Sequence, residues 1–291
     1  MLRQHGKSFY LASLFLDRKT AQHIKRLYFF CRTVDDLADK ELNKKMALLT
    51  LQQWKNEIEQ GVAVAPLVHD ILCLTEEKKL DAVNVSLLIE GVMSDLLIVR
   101  IANEEQLTRY CYLVAGSVGL LMCQLLGSSE PSAKKFAIDL GIAMQLTNIL
   151  RDVAEDILAK RQYIPQSWIP ENLDFLNSSA ASHELIKPAL IQLFNLAERY
   201  YQSGYAGLRY LPLRNRFCVL FAAKLYQEIG IKAKRIDFNI WDKRIVVTYP
   251  RKIWILGICI LSFMKSLFKP KQSPMHDSSL HRALSAWLNR V

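Results

Sequence analysis

Residues that interrupt helices are scarce in this chain. Eleven glycines and nine prolines stand among 291 residues, roughly 7% against a usual ~12%. All-β architectures need turn residues every ~8–12 positions, and collagen-like or low-complexity chains need more still, so those classes are excluded. Paired cysteine spacings are also lacking. Cys31, Cys73, Cys111, Cys123, Cys218 and Cys259 form no CxxC or zinc-type cluster, and most are read as small buried apolar residues in a reducing compartment. No apolar run is long enough for a transmembrane helix. The longest, Ile253–Met264, falls well short of the ~20 residues a span requires. The short run 9–16 closes on Asp17-Arg18-Lys19 without a small-residue cleavage pattern, so no signal peptide is expected and the location is read as cytoplasmic.

What the chain does have is helical periodicity. It is 51% hydrophobic and 23% charged, rich enough in apolar residues for a sizeable core. Ile24, Leu27, Tyr28, Cys31, Val34 and Leu37 recur at steps of three and four, predicting a helix over 19–40. The pattern repeats over 43–60 and 82–100. Asn103 and Gln106 look like an N-cap and capping box for a helix over 103–127, and Ser132 is the expected cap of one running to Leu158. Pro165, Pro170 and a polar stretch then break the chain, before helices near 184–206 and 214–235. The prediction is an all-α domain over residues 1–250, followed by a basic and apolar tail over 251–291.

The net charge of +10 is concentrated late in the chain. Residues 232–271 hold ten Lys/Arg against Asp237 and Asp242. Nucleic acid, an anionic membrane or a phosphorylated substrate would each suit such a patch. Nucleic acid is disfavoured, because the patch interleaves aliphatics rather than exposed aromatics and no recognition motif accompanies it. The segment Ile253–Phe268 reads either as a last helix packed on the body or as one lying on an anionic membrane surface.

Two acidic clusters inside apolar helices carry the chemistry. Asp35 and Asp39 are four apart, so their carboxylates share a helix face one turn apart. Asn148, Asp152 and Asp156 form a second stripe at i, i+4, i+8. A single Asp-x-x-x-Asp is ordinarily a solvated helix face. Two such stripes, each with an Arg (Arg32, Arg151) able to fork onto phosphate oxygens, point instead to hard cations holding a diphosphate. Mg2+ is the expected ion, with Mn2+ as a substitute. Asp36, adjacent on the helix and pointing about 100° away, is the weakest member of the expected ligand set Asp35, Asp36, Asp39, Asn148, Asp152 and Asp156.

Cys31-Arg-Thr-Val-Asp-Asp-Leu-Ala-Asp39 and Gln145-Leu-Thr-Asn-Ile-Leu-Arg-Asp-Val-Ala-Glu-Asp156 resemble the two aspartate-rich signatures of the squalene/phytoene synthase family. Lys7-Ser8-Phe9 resembles its N-terminal substrate segment. Tyr110 through Gly119 resembles its central Tyr-Cys-x-x-Val-Ala-Gly-x-Val-Gly stretch, and Arg161-Gln-Tyr163-Ile-Pro165 its basic-aromatic-proline box. Tyr226 and Arg244 fall where the family has its late Tyr and Arg. Gly6 and Ala154 depart from the pattern, standing where many members have serine and glycine.

The resemblance implies an isoprenoid-synthase-type helical bundle around a central cavity, and a prenyltransferase that condenses two prenyl diphosphates head to head (1′–1) through a cyclopropylcarbinyl diphosphate. Asp35, Asp39, Asp152, Asp156, Arg32 and Tyr110 are the expected catalytic residues, with Tyr110 nearest the rearranging carbocation. Ser8, Phe9, Tyr28, Arg32, Gln145, Asn148, Arg151, Arg161, Tyr163, Tyr226 and Arg244 are the expected substrate contacts. The wording of Asn148–Pro165 and of Ala222–Lys252 is most like the bacterial phytoene-forming branch, which uses two geranylgeranyl diphosphates. The alternative is a squalene or dehydrosqualene synthase using farnesyl diphosphate, with NADPH required only for squalene. A non-catalytic membrane-complex assembly factor would be expected to lose the aspartates, and they are present. A water-insoluble product suits a body resting on the inner face of a membrane.

Overall fold

The computed structural model describes residues 11, 13–128, 130–241, 244–267 and 274–288. The expected contacts Ser8 and Phe9, with Gly6 and Lys7, lie outside the described residues. Among those described there are helices and no named strand: α1 (Arg18–Lys40), α2 (Lys44–Gln60), α3 (Pro66–Lys78), α4 (Ala82–Ser94), α5 (Glu104–Cys111), α6 (Ser117–Leu125), α7 (Ala133–Leu158), α8 (His183–Gly207), α9 (Leu213–Arg235), α10 (Tyr249–Leu267) and the short α11 (Ser285–Leu288).

Local chemistry sets several helix starts. The carboxylate of Asp17 accepts from the Thr20 N–H at 2.9 Å, and Asn43, Asp81 and Asn103 cap α2, α4 and α5 in the same way. The Gln106 side chain accepts from the Ala102 N–H rather than closing a box on Asn103. Ser132 makes no side-chain cap. Helix α3, for which no periodicity argued, has Pro66 at its first turn and ends at Lys79 in the left-handed conformation.

The stretch read as one helix over 103–127 contains a π-helical turn, Tyr112–Gly116, between α5 and α6. The predicted 82–100 helix ends at Ser94. Beyond it, Val99 and Ile101 exchange backbone hydrogen bonds with Gln162, a short parallel bridge that docks the segment after α7 against the segment after α4.

Helix α7 is the axis of the molecule, packed against α6, α8, α9 and the π turn. Two glycines allow backbone to approach backbone at its crossings. A Cβ on Gly119 would lie 2.3 Å from the Ala137 carbonyl oxygen, and one on Gly141 would lie 2.3 Å from that of Ala115. These small residues therefore serve close helix packing.

The tail is bound to the body. On α10, Arg251 forks onto buried Glu228 of α9 at 2.8 and 3.0 Å and covers the Trp254 ring, while Ile255 and Cys259 are buried. The other side of α10 exposes Tyr249, Ile253, Trp254, Leu261 and Met264. No helix among the described residues is long and apolar enough to cross a membrane.

Candidate active site

Helices α1 and α7 bring the two acidic stripes to opposite walls of one polar cleft. Asp35 and Asp39 come from α1, Asn148, Asp152 and Asp156 from α7, and Gln145, Arg32, Arg151, Arg161, Tyr110 and Tyr163 complete the lining. Asp95, just beyond α4, also lines it and was not singled out from sequence. A lone aspartate after an apolar helix has no periodic partner to mark it. It caps the end of α4, and the bridge between residues 99–101 and 162 brings Tyr163 beside it.

Asp95 organises one wall. Its Oδ1 accepts from the Tyr163 hydroxyl at 2.7 Å and its Oδ2 from the Tyr110 hydroxyl at 3.1 Å. The two rings lie 4.9 Å apart, tilted by 32°. Burial pushes the Asp95 carboxyl up to about 6, against the two hydroxyl bonds and Arg161, which favour its charge. Burial likewise raises both tyrosines, so neither hydroxyl ionises near neutrality.

The carboxylates are crowded. Burial, with Asp39 and Asp95 nearby, pushes Asp35 up to about 7 although Arg32 opposes it. Burial and then Asp152 do the same to Asp156, which Arg161 only partly offsets. Arg161 donates to Asp39 at 2.9 Å, and Arg151 forks onto Asp152. Arg244 reaches Asp152 at 2.9 Å and Glu155 at 3.4 Å from the solvent side. On the α7 wall the Asn148 Oδ1 is buried with no hydrogen-bond partner.

An unpartnered amide oxygen among crowded carboxylates is an all-oxygen donor set that fits a hard divalent cation, whose charge would relieve their mutual repulsion. Asp36 is not brought into this set. It faces outward between Arg32 and Lys40, the latter 2.8 Å away, because it lies one residue round the helix from Asp35. Tyr28 borders an outer groove with Arg26 and Phe29, yet lies close enough to Arg32, Tyr226 and Asp35 to feel their charge.

Gln145, Asn148 and Val114 are shared with a second, apolar cavity of about 300 Å3 that runs away from the cleft. Helix α7 forms its long wall through Asn148, Gln145, Met144, Gly141, Leu140, Ala137, Phe136 and Ala133. Ala137, Gly141, Met144, Gln145 and Asn148 are only half-buried within an otherwise buried helix. That row of partly uncovered positions borders the cavity, and the close crossings at Gly119 and Gly141 form part of the same lining. Tyr226 and Ser13 also line it.

The sequence matches the squalene/phytoene synthase family over residues 2–251. It is 33% identical over 265 residues to a 15-cis-phytoene synthase from Pantoea ananas, covering 86% of each chain. To a phytoene synthase from Rhodobacter capsulatus it is 30% identical over 303 residues, covering 98% of this chain and 89% of that one. Among solved structures, a ligand complex of a dehydrosqualene synthase superposes with a TM-score of 0.80 at 28% identity, over 91% of this chain and 94% of that one. The squalene synthase HpnC from Alicyclobacillus acidocaldarius shares the fold with a TM-score of 0.72 at 23% identity, over 81% of this chain and 91% of that one.

Proposed function

Since the chain belongs to the squalene/phytoene synthase family and is a prenyltransferase, we propose that it joins two geranylgeranyl diphosphates head to head into phytoene. The observation that carries the choice of substrate is the length of the apolar cavity. Asn148 at the cleft and Ala133 at the other end of the lining are fifteen residues apart on one helical wall, about 22 Å of helix axis. An extended chain advances ~1.1–1.2 Å per backbone bond, and an isoprene unit contributes four such bonds. Four units then need ~18 Å and three need ~14 Å by the same measure. A wall of that length leaves room for four units beyond the reach of three, which supports geranylgeranyl diphosphate as the substrate. The dehydrosqualene synthase likeness keeps farnesyl diphosphate as the competing substrate.

The chemistry follows from the two compartments. Mg2+ held by Asp35, Asp39, Asn148, Asp152 and Asp156 would neutralise charge on a departing diphosphate. Arg151 and Arg161 lie in the cleft to take phosphate oxygens, and Arg244 covers its mouth. The apolar walls keep water from the allylic cation. The tilted rings of Tyr110 and Tyr163 offer a π surface in the wall of the cleft, which suits the cation left when the cyclopropylcarbinyl diphosphate loses its diphosphate. Asp95 fixes both rings by holding both hydroxyls.

The exposed side of α10 supports a peripheral contact with an anionic leaflet. Ile253 is 70% exposed, Trp254 53% and Leu261 62%, beside the basic residues of the same segment.

The deciding experiment incubates purified protein with Mg2+ and either diphosphate, with and without NADPH, and weighs the extracted hydrocarbon. A C40 product from geranylgeranyl diphosphate without NADPH is expected. A C30 product from farnesyl diphosphate alone would overturn the substrate assignment while leaving the condensation intact.

A further inference from the structure

A second polar cluster is buried on the side of α7 away from the acidic cleft. The carboxylate of Asp139, fully inaccessible, faces the imidazoles of His276 and His281, each less than a tenth exposed. His276 Nε2 lies 2.9 Å from Oδ2 and His281 Nε2 lies 2.7 Å from Oδ1. The two rings are 4.4 Å apart and turn the same nitrogen inward. One donor atom from each of the three residues lies within 4.8 Å of the others. Ser203 of α8 adds a hydroxyl on Oδ2. None of these residues touches the prenyl site directly, although the His276 ring abuts Phe136, which lines the cavity.

We infer that Asp139, His276 and His281 form a buried site for a zinc-class divalent metal that fastens the C-terminal segment to the helical body. Two imidazoles and one carboxylate, with a hydroxyl or water as fourth ligand, are a tetrahedral donor set of that class. Mg2+ prefers oxygen, so this set differs in kind from the all-oxygen cleft. Among the described residues no lysine or arginine is paired with this buried carboxylate, and a metal supplies the positive partner it needs without requiring either histidine to be protonated. The segment gains from being held. Among the described residues it carries no long helix of its own; Leu280 and Leu284 are buried in the core, and its polar ties include the Tyr200 hydroxyl on the Leu280 carbonyl at 2.7 Å, Arg109 on the Ala283 carbonyl at 3.0 Å and Arg199 beside Asp277 at 4.0 Å. A metal bond closes the chain between residues 139 and 276, a long loop whose closure stabilises the fold.

The test is metal analysis of the full-length protein after dialysis with zinc and then against excess Mg2+. About one tightly held zinc per chain is expected, retained in Asp152→Asn and lost in the His276→Gln/His281→Gln pair. Zinc is also expected to raise Tm by about 5 °C in the wild type and not in the histidine pair. Cobalt(II) in the same site should give the visible bands of a tetrahedral nitrogen and oxygen complex. Protein that retains no zinc would overturn the inference and leave a hydrogen-bonded clamp. Zinc that persists in the histidine pair and disappears in Asp152→Asn would overturn it by assigning the metal to the cleft.

Discussion

Asp35 and Asp156 are charged only at a cost, since burial and neighbouring carboxylates push each up to about 7. A carboxyl raised above its unfolded value near 4 binds its proton more tightly in the native state. Its contribution to stability is complete below about pH 4 and is lost as pH rises through about 7. Metal-free protein should therefore lose several degrees of Tm between pH 5 and 7.5, and saturating Mg2+ should restore them. A Tm that is flat or rising over that window without metal would contradict the crowding. By the same reasoning Asp156→Asn should abolish turnover, by at least about 10²-fold, yet unfold at a higher temperature than metal-free wild type at pH 7.5. Asp152 differs from both. It already has Arg151 and Arg244 as partners, so Asp152→Asn should lose activity and some stability together. Asp95→Ala strands two tyrosine hydroxyls, and small displacements of reacting groups can cost roughly 10²-fold. Its kcat should fall by about that factor with little change in KM, as measured by steady-state product release.

Among the helices, the glycine contacts of α6 and α7 separate packing from space. Gly119→Ala or Gly141→Ala drives a methyl against a carbonyl oxygen and should cost about 1–3 kcal/mol in denaturant unfolding. Gly257→Ala on α10, where a Cβ meets nothing within 4 Å, should be neutral or stabilising by up to ~1 kcal/mol. Equal effects at all three positions would rule out the close-crossing account. At this scale the sequence was informative wherever periodicity repeats. The acidic stripes of α1 and α7 are legible because i, i+4 spacing alone puts their carboxylates on one face. Helix α3 was missed because its thirteen residues are apolar on several sides. The π turn at Tyr112–Gly116 escaped notice because a single change of hydrogen-bond register leaves the apolar pattern intact. Asp95, His276 and His281 were silent for another reason. Each is one residue whose partners arrive from distant segments, and spacing cannot encode a meeting that only tertiary packing brings about.

Taken whole, the molecule is a polar cleft opening into an apolar cavity, with α7 as the shared wall. If the cavity measures substrate length, filling it partway should change the product. Ala137 lies eleven residues from Asn148, about 16 Å along the axis, between the reach of three and of four isoprene units. Ala137→Leu should therefore shift the ratio of kcat/KM toward farnesyl diphosphate by about tenfold or more. An unchanged ratio, in a variant that still folds and turns over, would show that length is set elsewhere. For the outer surface, Ile253→Asp with Trp254→Asp should reduce flotation with anionic liposomes while leaving catalysis in detergent unaltered. Equal flotation would remove the membrane contact from the proposal.

Helix α7 holds its acidic residues at one end, the cavity row along its middle, and Asp139 on another side near its start. All three are set by angular phase around a single rod. Inserting or deleting one residue between Ala137 and Asn148 would turn everything beyond it by about 100°, putting the carboxylates out of line with the cavity they serve. Conservative substitutions along this helix alter one contact at a time, whereas a change of its length disturbs every function at once. Outside its site residues, α7 should thus tolerate single substitutions better than any change in its residue count, and tolerated insertions should collect in the connections between helices.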